Sequence, residues 1–151
     1  MLKPFYKNRS GFTLVEVVVS LTIIAILILL ALPTYQDTLL KSRRAEARSA
    51  LHLVMLQQER FYTQHNTYSA FTSKTTSPFK WWSGSSVENS YYEINGEPCP
   101  GRPINQCVLL TAESGTSNVK HVDDAICGNL MLDSANNKTY SNGSEPNSLC
   151  W

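Results

Sequence analysis

The stretch RSGFTLVEVVVSLTIIAILILLALPTYQ, Arg9 to Gln36, decides the fold. From Phe12 to Leu32 it is apolar except for Thr13, Glu16, Ser20 and Thr22. About 20 such residues cross a bilayer as a helix. Glu16 is out of place there, because a carboxylate in hydrocarbon costs roughly 2.5–3.5 kcal/mol on insertion scales. A position that costly needs a partner or a task. Lys3, Lys7 and Arg9 precede the run, with no acid before Glu16. By the positive-inside rule that basic flank stays cytoplasmic, and the C-terminal part lies across the membrane.

Cysteine placement agrees with this orientation. Cys99, Cys107, Cys127 and Cys150 all fall late in the chain. An even number in a small exported domain reads as disulfides, and four cysteines allow three connectivities. None forms a CxxC and no histidine stands nearby at zinc spacing, so no metal is expected. A secretory signal ends in a small-residue cleavage site after its apolar core. Here the core runs into Leu32-Pro33-Thr34-Tyr35, and the small residue, Gly11, stands in front of it.

Ser10-Gly11-Phe12-Thr13-Leu14-Val15-Glu16 resembles the processing site of type IV prepilins and type II secretion pseudopilins. The resemblance implies that a membrane peptidase cuts between Gly11 and Phe12 and that the new Phe12 amine is methylated. It also gives Glu16 its task. In a filament, Glu16 of one subunit lies near the Phe12 amine of a neighbour, and each charge offsets the other's desolvation. That amine does not exist before cleavage, so Glu16 acts as a registry device. The resemblance implies a leader over 1–11, a transmembrane and polymerisation helix over 12–35, and a periplasmic head over 36–151.

Past the run, Pro33 is expected to interrupt the helix, because proline removes a donor and clashes one turn back. The resemblance adds that this segment loses helical order when subunits pack. The helix is expected to resume and run to about Gln64. Ala47, Leu51, Val54, Gln58 and Phe61 make a stripe at steps of three or four, widened by Ala50, Met55 and Tyr62. Such a face packs on a sheet. Arg43, Arg44, Glu46, Arg48 and Glu59 fall mostly off it. A Ser, Thr, Lys and Gly-rich loop from Ser69 to Asn89 carries Trp81 and Trp82, which are expected to pack beneath it. Strands are expected at Tyr91–Ile94, Cys107–Ala112 and Cys127–Leu132, with a brief edge at Thr139-Tyr140. The fold class is therefore α+β: a long N-terminal helix, transmembrane and then amphipathic, packed on a small antiparallel sheet.

Gln57 to Tyr62, Asn66 to Tyr68, the run from Cys127 to Asp133 and the final Cys150-Trp151 resemble PilE-like minor pilins. In those, a cysteine opening the third strand pairs with one near the C-terminus. The resemblance thus implies Cys127–Cys150, which leaves Cys99–Cys107 as a local bridge.

Catalytic patterns are missing. His52, His65 and His121 make no metal pair, and there is no Walker loop, G-x-G-x-x-G or His-Glu-x-x-His. Asp123-Asp124 falls short of the oxygen ligands calcium needs, so a solvated turn is expected there. No enzyme activity and no cofactor are expected. The expected role is that of a type IV pilus subunit, a minor pilin serving adhesion, twitching motility or competence. Its expected partners are other pilin subunits, the prepilin peptidase and methyltransferase, the inner-membrane assembly platform and the inner membrane itself. A type II secretion pseudopilin and a DNA-receptor competence pilin are the alternatives. From Lys41 onward, ten basic residues (all but Lys3, Lys7 and Arg9) face ten acidic ones (all but Glu16 and Asp37). That balance ranks DNA below the other partners, although Lys74, Lys80 and the tryptophan pair offer a local footprint.

Overall fold

The computed structural model describes residues 11–121, 123–143 and 148–151, with the backbone alone described for 30–34. The leader proper, 1–10, lies outside the described residues. One helix, α1 (Leu14–His65), is followed by a 3-10 turn (Val87–Asn89) and four strands. These are β1 (Tyr92–Pro98), β2 (Val108–Ser114), β3 (Leu130–Asp133) and β4 (Lys138–Tyr140), paired antiparallel in the order β1-β2-β3-β4. The chain divides into two compact units, Met1–Thr38 and Leu39–Trp151.

In the first unit the apolar side chains described are exposed, from Leu14 to Leu29. Its polar interruptions are satisfied within the helix itself. Ser20 Oγ donates to the Glu16 carbonyl at 2.7 Å and Thr22 Oγ1 to the Val18 carbonyl at 2.8 Å. Hydroxyls turned back in this way remove the cost of carrying them into an apolar setting. Among the described residues no helix is long and apolar enough to cross a membrane; the run expected to do so, 12–35, includes the side chains of 30–34. The interruption expected at Pro33 is absent, because α1 continues through it. One lost donor in a 52-residue helix leaves the neighbouring hydrogen bonds to carry the backbone on.

In the second unit, α1 buries Ala47, Ala50, Leu51 and Val54 against Tyr92, Ile94, Val108, Leu110, Ala112, Leu130 and Leu132. Those strand residues alternate, so one sheet face meets the helix. Gln58 is fully buried on the same stripe. Its amide donates to the Ser69 carbonyl at 2.7 Å and accepts from the Ser69 N–H at 3.0 Å, which fixes where the chain leaves the helix. Asn66, at φ 54, makes that exit.

The α1–β1 connection is stitched to the free edge of β1. Phe71 exchanges two hydrogen bonds with Gly96 at 3.0 Å each, Ile94 N–H donates to the Trp81 carbonyl, and Ser83 N–H to the Tyr92 carbonyl. Gly96 is required there, since a Cβ would meet the Phe71 ring at 2.6 Å. β1 extends to Pro98 rather than stopping at Ile94 because its pairing with β2 continues to Pro98 opposite Val108. β3 starts later than expected, at Leu130, because Ala125 to Cys127 forms a turn, closed by Gly128 N–H to the Asp124 carbonyl at 2.7 Å, and Gly128 follows it at φ 63.

Two disulfides join Cys99 to Cys107 and Cys127 to Cys150. Their sequence separations are 8 and 23 residues. On chain entropy the longer loop stabilises by about 1 kcal/mol more. It also holds two fully buried half-cystines. Replacing Cys127 and Cys150 together with Ser is therefore expected to lower the melting temperature of the detergent-solubilised chain more than replacing Cys99 and Cys107. Equal shifts in near-UV circular dichroism melts would refute the ranking.

Candidate functional site

Gly11 and Phe12 precede α1, and Phe12 is exposed. Thr13 and Glu16 form a reciprocal cap on the helix start. Glu16 N–H donates to Thr13 Oγ1 at 3.3 Å, and Thr13 N–H to Glu16 Oε2 at 3.4 Å. Thr13-Leu14-Val15-Glu16 is a capping-box sequence, a spacing signal that the sequence carries independently of the carboxylate's charge. Pro33 lies within α1.

Asp123-Asp124 is not the solvated turn expected. Asp124 is 1% exposed and lies against Arg44, which is 2% exposed. Arg44 donates from Nε to Oδ2 and from Nη2 to Oδ1, both at 2.7 Å, and from Nη1 to the Leu149 carbonyl at 3.2 Å. Tyr92 Oη donates to Oδ2 at 2.9 Å, and the N–H groups of Cys127 and Ile126 to Oδ1. The network ties α1, β1 and both ends of the Cys127–Cys150 loop to one carboxylate. Burial pushes the Asp124 pKa up, but the hydrogen bonds from Arg44, the Cys127 N–H and Tyr92 outweigh it and hold the group below its ordinary value. The hydrogen bond from Arg44 to Asp124 raises the arginine in turn, and burial raises Tyr92.

Arg44–Asp124 is the one ion pair within 4.0 Å among the described residues. Other cations rest on aromatic rings. Arg43 lies 4.1 Å and Lys120 5.6 Å from the Tyr91 centroid, Lys80 is 5.8 Å from Trp82, and Lys138 is 5.6 Å from Trp151. The first three crowd one region. Lys120 donates to the Ser90 carbonyl and reaches Asn89 Oδ1, while Lys80 Nζ donates to the Ser83 carbonyl. Ser83 Oγ, in turn, accepts from the Tyr91 and Tyr92 N–H groups. Trp81 packs on the core and Trp82 stands edge-on to it at 5.5 Å, half-buried.

Beside this region the α1 end and the loop line two adjoining, open surface pockets of about 430 and 410 Å³. They share Gln57, Pro78 and Phe79, and among the described residues no carboxylate lines either. On the opposite sheet face, by contrast, Glu93 and Glu113 sit directly across from each other. Burial raises the Glu93 pKa, but hydrogen bonds from Ser73, Asn118 and Thr116 outweigh it and keep the group low. Charges of both signs occur in each region: Ser83 Oγ also donates to Glu46 Oε1 at 2.8 Å beside the cations at the loop, and the Lys74 charge helps keep Glu93 low on the sheet face.

A family model described as "Type IV minor pilin ComP, DNA uptake sequence receptor" matches residues 33–131. The chain belongs to that minor pilin family. A prokaryotic N-terminal methylation motif matches residues 6–32. This minor pilin is also 30% identical over 70 residues to the type IV major pilin protein PilA of Myxococcus xanthus, a segment covering 46% of this chain and 32% of that protein. The chain thus spans about a third of the length of that relative. A solved type IV pilin from Shewanella oneidensis aligns at 21% identity and a TM-score of 0.43, over 71% of this chain and 98% of that one.

Proposed function

We propose that this minor pilin is a DNA-binding subunit of a type IV pilus, held in the inner membrane by its apolar segment and taken from there into the filament by the assembly platform. The observation that carries DNA binding is the cluster of Arg43, Lys80 and Lys120 on Tyr91 and Trp82, with no carboxylate within ion-pair distance among the described residues. The family's description, which names a DNA uptake sequence receptor, supports it. The balanced charge count argued otherwise because a net sum is blind to position. Phosphate contacts need a local cationic surface, and aromatic rings beside the cations add stacking. Duplex DNA titrated against the full chain in detergent, followed by fluorescence anisotropy, should bind with marked salt dependence. Changing Arg43 and Lys120 together to Ala should weaken binding and reduce the slope of log K against log salt by about 2, roughly one per lost phosphate contact. An unchanged slope would move the interface elsewhere, and no binding by the unaltered chain would end the DNA reading.

Processing belongs to the same reading. The prepilin peptidase and methyltransferase cut between Gly11 and Phe12 and methylate Phe12, and the motif over residues 6–32 supports this. Intact mass of the chain recovered from sheared filaments should correspond to a methylated Phe12 start. A chain starting at Met1 would contradict it.

A further inference from the structure

We infer that the cleft between the end of α1 and the α1–β1 loop takes one unpaired nucleobase of the bound DNA. The inference rests on the DNA-binding reading above and adds a mode of contact to it. The first cavity has aromatic walls. His65 stacks on Phe61 with centroids 4.0 Å apart and planes 12° from parallel, and Phe79 meets Phe61 edge-on at 5.6 Å. At about 430 Å³ its volume falls in the range of small-molecule sites. Arg60 and Gln64 stand at its rim, and their side chains make no hydrogen bond among the described residues. The adjoining cavity leads from Gln57 to Lys80 and Trp82.

A nucleotide has a flat ring, a hydrogen-bonding edge and a phosphate on either side. The cleft answers each part. The ring stacks on the His65–Phe61 pair, a contact that tolerates any base. The exposed Gln64 amide meets the base edge, and glutamine pairs with adenine through two hydrogen bonds, while Gln57 Oε1 accepts the Lys80 N–H at 3.4 Å and holds the loop against α1. Arg60 at one end and Lys80 at the other meet the flanking phosphates. Among the described residues both linings hold basic side chains, Arg60 and Lys80, and no carboxylate, which favours this polyanion over a cationic ligand. Taking a base from a stack costs free energy, least where it is already unpaired. The cleft therefore prefers DNA with a bulged or frayed base.

The test compares two labelled duplexes, one fully paired and one with a single unpaired adenine, against the full chain in detergent. The bulged duplex should bind about tenfold more tightly, the scale of one base–aromatic stack. His65→Ala and Gln64→Ala, both on the exposed helix end, should bring the two affinities together. Equal affinities for the unaltered chain would overturn the base cleft while leaving DNA binding in place. A preference that survives both substitutions would overturn its location. Failure of both duplexes to bind would overturn the DNA reading and this inference with it.

Discussion

Asp124→Ala should destabilise the head by about 3–5 kcal/mol, the range found when one partner of a buried ion pair is removed. Arg44 is the reason. It is 2% exposed and donates three hydrogen bonds, two of them to this carboxylate. Without Asp124 the guanidinium stays charged and buried, with the Leu149 carbonyl its remaining hydrogen-bond acceptor among the described residues. Tyr92 Oη and the Cys127 N–H lose their acceptor as well. The melting temperature should fall by about 10 °C or more. Asp123→Ala provides the contrast, since Asp123 is exposed and an ordinary surface change stays within about 0.5 kcal/mol. Similar losses from both substitutions would show that the loop, and not the ion pair, sets stability.

The same network predicts a pH dependence of known sign. Folding lowers the Asp124 pKa. A group depressed on folding contributes its full stabilisation above the unfolded value, about 3.9, and loses it as pH falls through the folded value. The unaltered chain should therefore soften progressively below about pH 4. Asp124→Asn should start from a lower melting temperature and show a flatter decline over that window.

Arg44 also shows where the sequence could be read and where it could not. Positions 44, 47, 51, 54 and 58 advance by three and four, so Arg44 stands in register with the buried stripe. Its charge led to a surface assignment. A buried arginine needs a buried acid, and its acid comes from 80 residues away. Periodicity reports which face is inside, but not which distant carboxylate will meet it. Leu51, Val54 and Gln58 were legible because burial of a helix face follows from local spacing. The break at Pro33 and the start of β3 at Cys127 were misjudged for a related reason. A proline weakens one hydrogen bond without ending a long helix, and a glycine at φ 63 ends a strand pattern that alternation alone would extend. The cation–aromatic surface was only partly visible: Lys80 and Trp82 are sequence neighbours, whereas Arg43, Tyr91 and Lys120 meet only through the fold.

Glu16→Gln should reduce recovery of the chain in sheared filaments by about tenfold or more, while leaving expression and head stability unchanged. Two roles compete for this residue. The structure shows it capping α1 together with Thr13. The filament reading gives its charge to the Phe12 amine of a neighbouring subunit after cleavage. Glutamine separates the two, since the capping box accepts Gln as well as Glu. Glu16→Gln therefore keeps the cap and removes the charge, and Glu16→Ala removes both. Loss of about 1.4 kcal/mol at each subunit contact is a tenfold loss in incorporation, and an ion pair shielded from water exceeds that readily. Glu16 belongs to the unit Met1–Thr38, outside the one that holds the sheet and both disulfides. Neither substitution should shift the melting of the head. If Glu16→Gln enters filaments normally and Glu16→Ala does not, the residue acts through the helix start, and the ion-pair account is wrong. If both enter normally, the carboxylate has no part in assembly. Equal failure of both, with the leader still removed from each, is the outcome the intersubunit charge pair requires.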